Sequence, residues 1–150
     1  MGNYYGRYDR TLDDRGRLQL PAKLFPNGLP DVFYALRGFE GCIAIYEEKD
    51  FLALQKDLSE HSYFSPEARA FIRLTLSSVR EMEVDDHGRI TIQKELQERY
   101  GLSNKVVVLG IQDHFEVWDK GRFESYEEDQ GASFEALASK LEEGNDGKAL

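Results

Sequence analysis

The stretch Asp13-Asp14-Arg15-Gly16-Arg17 recurs as Asp85-Asp86-His87-Gly88-Arg89. At the same offset Leu24 meets Leu96, Gly38 meets Gly110, and Phe51 meets Phe123. The apolar-aromatic pair Ile45-Tyr46 meets Val117-Trp118, and Leu18/Ile90 and Leu20/Ile92 are conservative matches in the same register. A register held from a tight turn to a distant aromatic position marks a duplication, one small unit written twice.

Each copy opens on a hairpin. Tyr8, Arg10 and Leu12 alternate with Asp9 and Thr11 before the first turn, and Leu18 and Leu20 alternate with Arg17 and Gln19 after it. Met82 and Val84, then Ile90 and Ile92, repeat the pattern. Period two with one apolar face predicts half-buried strands. The turn chemistry agrees: aspartate at the first position accepts a backbone hydrogen bond, and glycine at the fourth takes positive φ and starts a bulge. A second strand pair follows in each copy, residues 32–36 with 42–46 and residues 106–109 with 115–118.

Helices complete the reading. Residues 94–100 form a short helix stopped by Gly101, whereas Pro26, Asn27, Gly28 and Pro30 break any counterpart in the first copy. Residues 49–60 place Phe51, Leu54 and Leu58 on one stripe. Ser65-Pro66-Glu67 is a helix start, followed by Ala68, Phe71, Ile72, Thr75, Leu76 and Val79 at helical spacing. Phe134, Leu137, Ala138 and Leu141 predict one more amphipathic helix, with a frayed polar end from Glu142 to Leu150.

The chain has 150 residues, 41% hydrophobic and 31% charged, enough for a packed core under a wet surface. One cysteine, Cys42, rules out an intramolecular disulfide and a cysteine-based zinc site, and fits a reducing cytosol. No apolar run approaches the ~18 residues of a membrane span, so a soluble cytoplasmic protein is expected, with no membrane partner. The net charge of −9 argues against a protein that simply coats DNA. The charge is uneven, however. Arg7, Arg10, Arg15, Arg17 and Lys23 outnumber Asp9, Asp13 and Asp14 in the first 23 residues, and acids dominate from residue 119 onward. A basic edge on an acidic body follows.

Among polar groups, Arg17 and Arg89 are the foremost candidates for DNA contact, because guanidinium is always charged and donates two parallel hydrogen bonds to phosphate or a guanine edge. The plain alternative is an ion pair inside the turn with Asp13 or Asp85. Arg15 and His87 stand at the turn tips. Asp13, Gly16, Asp85 and Gly88 shape the loops. Asp13-Asp14 and Asp85-Asp86 do not make a metal or acid–base pair, since neighbouring residues point apart and no histidine cluster accompanies them. His61, His87 and His114 are scattered. No phosphate-cradling loop or nucleophile arrangement occurs, so neither an enzyme nor a cofactor, metal or small-molecule substrate is expected.

Tyr4-Tyr5-Gly6, the run from Leu12 to Pro21, the segment Gly41 to Tyr46, the block Asp85 to Arg89, Gly110, Glu116-Val117-Trp118 and Phe123 together resemble the MraZ family, over residues 4–126. That family is similar to the AbrB and SpoVT group of swapped-hairpin barrels. The resemblance implies an α+β fold of two tandem barrel units packed within one chain. It divides into residues 1–54, linking helices 55–80, residues 81–126, and a C-terminal helix and tail 127–150. It further implies a nucleoid-associated transcriptional regulator, a repressor, that assembles as a ring-shaped homo-oligomer. The ring binds direct repeats in double-stranded DNA upstream of the division and cell-wall gene cluster. The resemblance places Arg15, Arg17, His87 and Arg89 at the DNA-facing surface. The sequence departs from an even repeat where His87 stands for Arg15 and Gln93 for Pro21. The alternative reading is a ring scaffold or antitoxin-like module that binds a protein partner without binding DNA.

Overall fold

The computed structural model describes residues 3–144. Its strands are β1 Tyr4–Thr11, β2 Arg17–Gln19, β3 Val32–Arg37, β4 Ile43–Tyr46, β5 Arg80–Glu83, β6 Arg89–Thr91, β7 Lys105–Gln112 and β8 His114–Asp119. The helices are α1 Glu48–Ser59, α2 Pro66–Leu76, α3 Lys94–Arg99, α4 Lys120–Gly131 and α5 Phe134–Gly144. By contact density the chain forms two compact units, residues 1–120 and 121–150. Among the described residues no helix is long and apolar enough to cross a membrane.

The first unit holds an antiparallel sheet in the order β1-β7-β8-β4-β3-β5 and a separate ribbon of β2 with β6. The local hairpins read from alternation alone give way to an exchange of the swapped-hairpin kind that the family resemblance implies. Each turn closes on itself, with Gly16 N–H donating to the Asp13 carbonyl (3.0 Å) and Gly88 N–H to that of Asp85 (3.1 Å). The arms then diverge: β1 runs along β7 from Tyr4↔Gln112 to Thr11↔Lys105, and β2 pairs with β6 of the other copy. An isolated hairpin leaves one apolar face wet. Trading arms with an equivalent copy covers that face, and Leu18 and Ile90 are fully buried.

The exchange has approximate two-fold symmetry. Leu18↔Ile90 centres the ribbon and Ala44↔Glu116 centres the β4–β8 pair, and each joins residues equivalent in the repeat. Between those fixed points the register is not gapless. Tyr34 pairs with Tyr46, and Val107 with Trp118. Phe33 therefore takes the structural place of Val106, not of Lys105. The first copy is one residue shorter before β3 and one longer in the following turn, so Gly38 and Gly110 are not equivalent in space.

One core serves both copies. Tyr4, Phe25, Phe33 and Phe115 pack edge to face at centroid distances of 5.4–6.2 Å. Ile43, Ile45, Val106, Val108 and Val117 close around them. Each such side chain contributes roughly 1.5–3 kcal/mol on burial, so neither copy is complete without the other.

The helices follow the sequence with one addition. Phe51 and Leu58 of α1 are buried, and Phe51 stacks on Tyr34 at 4.7 Å. The helix α3 ends before Gly101, whose φ is +61°. Helix α4 was not anticipated, although the repeat foretells it: α1 shifted by the repeat offset falls on 120–131. None of its residues is buried. The predicted C-terminal helix is α5, and residues 145–150 of the expected polar end lie outside the described residues. Helix α2 begins as predicted, with Ser65 Oγ accepting from Ala68 N–H at 3.3 Å. Ser65→Ala is expected to lower stability by about 1 kcal/mol, measured as a fall in the urea midpoint with unchanged slope. The α2 stripe is only partly covered: Thr75 is buried, but Phe71, Leu74 and Leu76 are exposed.

Candidate nucleic-acid interface

Both turns are built by one carboxylate. Asp13 Oδ1 accepts from Arg15 N–H (2.9 Å) and Arg17 N–H (2.8 Å), while Oδ2 accepts from Arg17 Nε at 2.5 Å. Asp85 repeats this with His87 N–H (2.9 Å), Arg89 N–H (2.9 Å) and Arg89 Nε (2.8 Å). The ion pair weighed as the plain reading of Arg17 and Arg89 is therefore present in both copies. It does not use up the guanidinium. Only Nε is engaged, and among the described residues the terminal nitrogens of both arginines have no protein partner. The aspartate fixes the fork, and its outer donors stay free.

Pairing of β2 with β6 brings the two turns together. Arg17 faces Thr91 and Gln19 faces Arg89 across the ribbon. Leu18 and Ile90 point into the core, so Arg17, Gln19, Arg89 and Thr91 share the outer face. The two arginines are diagonal neighbours, with Cα atoms about 7–8 Å apart by the usual spacing of such positions. Gln19 and Thr91 escaped the sequence reading, which treated each turn as its own hairpin. Knowledge that β2 pairs with β6 would have found them by period two alone.

The ribbon is braced from both sides. Gln19 Nε2 donates to the carbonyls of His87 (2.9 Å) and Gly88 (3.2 Å). Ile92 N–H donates to the Gly16 carbonyl (2.8 Å) and Leu20 N–H to that of Gly88 (3.1 Å). Arg10, also missed, reaches in from β1, its Nε donating to the Gln19 carbonyl at 3.3 Å. Arg15 and His87 are exposed at the tips, as their turn positions require.

The electrostatics are more balanced than a basic edge. Asp13 and Asp14 offset Arg15 and Arg17, and Asp85 and Asp86 face Arg89 and His87. Arg7 is tied to Asp9 at 2.9 Å, and Lys23 lines a separate hollow beside Tyr4 and Glu47. Positive charge is thus local and directional, carried by guanidinium tips.

The Asp13 carboxyl is held down to about 2, chiefly by the Arg17 N–H and further by the Arg17 side chain and Arg15 N–H, against partial loss of solvent. For Asp85, loss of solvent pushes upward, but the N–H groups of Arg89 and His87 and the Arg89 side chain outweigh it, leaving the carboxyl below its ordinary value. A depressed carboxyl stabilises the turn above its unfolded value near 3.9 and loses that contribution as pH falls through the folded value. The Asp13 carboxyl is therefore expected to titrate in an NMR experiment with a midpoint near 2. A midpoint near 3.9 would mean that Asp13 does not hold the turn.

Elsewhere, His114 Nδ1 meets Asp113 Oδ1 at 2.8 Å and its ring stacks on Tyr46 at 4.7 Å, which fixes the β7–β8 turn. Among the described residues no group of three or more His, Cys, Asp or Glu side chains could hold a metal ion.

Comparison with known proteins agrees with this architecture. The family model described as "MraZ protein, putative antitoxin-like" matches residues 4–74 and again residues 76–143. The transcriptional regulator MraZ of Acetivibrio thermocellus is 35% identical over 138 residues, 92% of this chain and 96% of that protein. The protein of the same name from Ligilactobacillus salivarius is also 35% identical over the same shares. That from Alkaliphilus metalliredigens is 30% identical over 140 residues, 93% of this chain and 97% of its own. With the turn-and-strand unit present twice, and similarity running nearly end to end, the chain belongs to the MraZ family.

Proposed function

We propose that this protein is a DNA-binding transcriptional regulator, acting as a repressor, that grips double-stranded DNA with the outer face of the β2–β6 ribbon. The observation that carries the reading is the doubled Asp–Arg turn, which sets two guanidinium forks side by side with their outer donors unused. Arg17 and Arg89 make the principal contacts, Arg15 and Arg10 add phosphate contacts, and His87 takes the lesser role of Arg15's counterpart. Asp13, Gly16, Asp85 and Gly88 hold the loops. The relatives' name, transcriptional regulator, supports the same reading.

One subunit offers only a few cations, against a net charge of −9. Binding by a single ribbon is weak and salt-sensitive. A ring-shaped homo-oligomer presents the ribbon repeatedly, and matched spacing of direct repeats raises apparent affinity by about 10²–10⁴-fold. The resemblance noted in the sequence places such repeats upstream of the division and cell-wall gene cluster and the protein at the nucleoid.

A salt titration of binding to DNA with and without direct repeats tests this. With about three or four phosphate contacts per subunit, log affinity should fall against log salt with a slope near −3 for each engaged subunit, and repeat DNA should be preferred. The second reading, a partner-binding module without DNA affinity, draws on the antitoxin-like wording of the family description and on the charge balance within the turns. Absence of DNA binding at low salt, alongside capture of a protein partner, would favour it.

A further inference from the structure

Beside α2 lies an apolar groove that the ribbon does not use. Two adjoining hollows of about 300 and 370 Å³ share Arg37, Gly41 and Leu74 in their walls. Phe39 and Phe71 stack along the groove at 6.3 Å with rings 8° from parallel, and Phe39 is 69% exposed. Leu74 is exposed between them and the far end, where Arg37, Arg99 and Tyr100 form the wall. The side chains of Arg37 and Arg99 make no ion pair among the described residues. Glu40 lines the aromatic end, and the far end holds Arg37 and Arg99, so the groove is apolar along its length and carries two guanidinium groups to one acid, which suits a segment that is apolar on one face and acidic beside it.

The chain carries such a segment. Helix α5 puts Phe134, Leu137 and Leu141 on one stripe, with Ala138 between them, and Phe134 is 73% exposed. Helical spacing sets Glu135 and Glu142 along one flank of that stripe and Lys140 on the other. Large apolar residues left in water on both surfaces mark interaction sites.

We infer that α5 of one copy docks in the Phe39–Phe71–Leu74 groove of a second copy, with Glu135 and Glu142 turned toward Arg37 and Arg99. The inference rests on the self-assembly in the proposed function and names the surfaces that perform it. The contact is heterologous, since groove and helix are different patches. Repeated head to tail, such a contact closes into a ring where the rotation between successive copies closes.

The test uses the full chain with Leu74→Glu, a groove variant, and Leu137→Glu, a helix variant. Both positions are exposed, so each should keep the wild-type unfolding midpoint. By sedimentation velocity the wild type should form a closed oligomer and each variant a monomer. Mixing the two should yield a dimer and nothing larger, because one intact groove meets one intact helix and the chain of contacts ends there. Should either variant fold poorly, the charge reversals Arg37→Glu with Arg99→Glu and Glu135→Arg with Glu142→Arg replace them. Each reversed pair should weaken assembly at low salt, and mixing should restore the full oligomer, because each variant's helix then meets a groove of opposite charge. An oligomer that both single variants leave intact overturns the docking while sparing the ring reading. So does disruption by one variant alone, or a mixture that stays monomeric. A monomeric wild type overturns both. DNA binding by a monomeric variant, weaker but still lowered about tenfold by Arg17→Ala, keeps the ribbon reading separate from this one.

Discussion

Replacing Arg17 and Arg89 together by alanine is expected to cut affinity for repeat-bearing DNA by at least about 100-fold while leaving oligomer size and unfolding midpoint unchanged. A hydrogen bond to a charged group contributes about 1.5–3 kcal/mol, so two lost forks remove about 3 kcal/mol or more per engaged subunit, and each 1.4 kcal/mol is tenfold. Each single variant should lose about tenfold and flatten the salt slope. Stability should barely change, because both ion pairs are partly exposed, with arginine side chains 30% and 25% accessible, and such pairs contribute about 0–1 kcal/mol. Asp13→Asn separates orientation from charge. It makes the protein one unit more positive, which by bulk electrostatics strengthens binding. It also deprives Arg17 Nε of its anchor, since the amide can present a nitrogen where Oδ2 accepted. We expect weaker binding. Fluorescence anisotropy on a labelled repeat at low salt reads both outcomes. A double variant binding within threefold of wild type would sink the ribbon as the contact surface, and tighter binding by Asp13→Asn would sink the orienting role of the aspartate.

Much of this site was legible in the sequence because turn chemistry is local. Aspartate at the first position, glycine at the fourth and arginine at the fifth specify a closed loop without reference to the rest of the chain, and the loops are built that way. The partners of the strands were not legible. Alternation shows that Leu18 points inward, but the same alternation serves pairing with β1 or with β6, and only the gain from burying both copies in one core decides for β6. That decision places Arg17 beside Arg89 and brings Gln19 and Thr91 to the same face. The register slip in β3 was hidden for a related reason. Its strand residues are nearly all apolar, so a one-residue shift leaves the composition of each face looking acceptable, and only the cross-strand partners Tyr34↔Tyr46 and Val107↔Trp118 reveal it. Helix α4 is legible only through the repeat, as the α1 segment carried into the second copy with Phe123 in the place of Phe51. Its weakly amphipathic sequence gave no independent signal, and no residue of it is buried.

The two turn glycines have nearly the same conformation, with φ of +77° at Gly16 and +76° at Gly88, yet they should respond very differently to alanine. The left-handed region costs a residue with a Cβ about 1–2 kcal/mol in either loop. At Gly16 the added methyl would lie 2.4 Å from the Ile92 carbonyl oxygen and 2.5 Å from Gln97 Nε2. Those two atoms are themselves bonded at 2.7 Å, and the Ile92 N–H is bonded to the Gly16 carbonyl at 2.8 Å. The methyl can enter only by parting backbone from backbone, and overpacking of that kind adds about 1–3 kcal/mol. At Gly88 the nearest atoms are Leu29 Cδ1 at 3.1 Å and Gln19 Nε2 at 3.3 Å, both at the far ends of side chains that can swing aside. The difference descends from the one place where the copies diverge most. Gln97 sits on α3, and the first copy has Phe25 and a run of prolines and glycine there instead of a helix, so only the side-chain ends of Leu29 and Gln19 lie against Gly88. Gly16→Ala is therefore expected to cost about 3 kcal/mol or more and Gly88→Ala about 1–2 kcal/mol, read from urea unfolding of the two variants side by side. Adding Gln97→Ala to Gly16→Ala should recover little, because the Ile92 carbonyl would still block the methyl. Equal losses for the two glycine variants would mean that backbone conformation alone governs both turns and that α3 does not clamp the first.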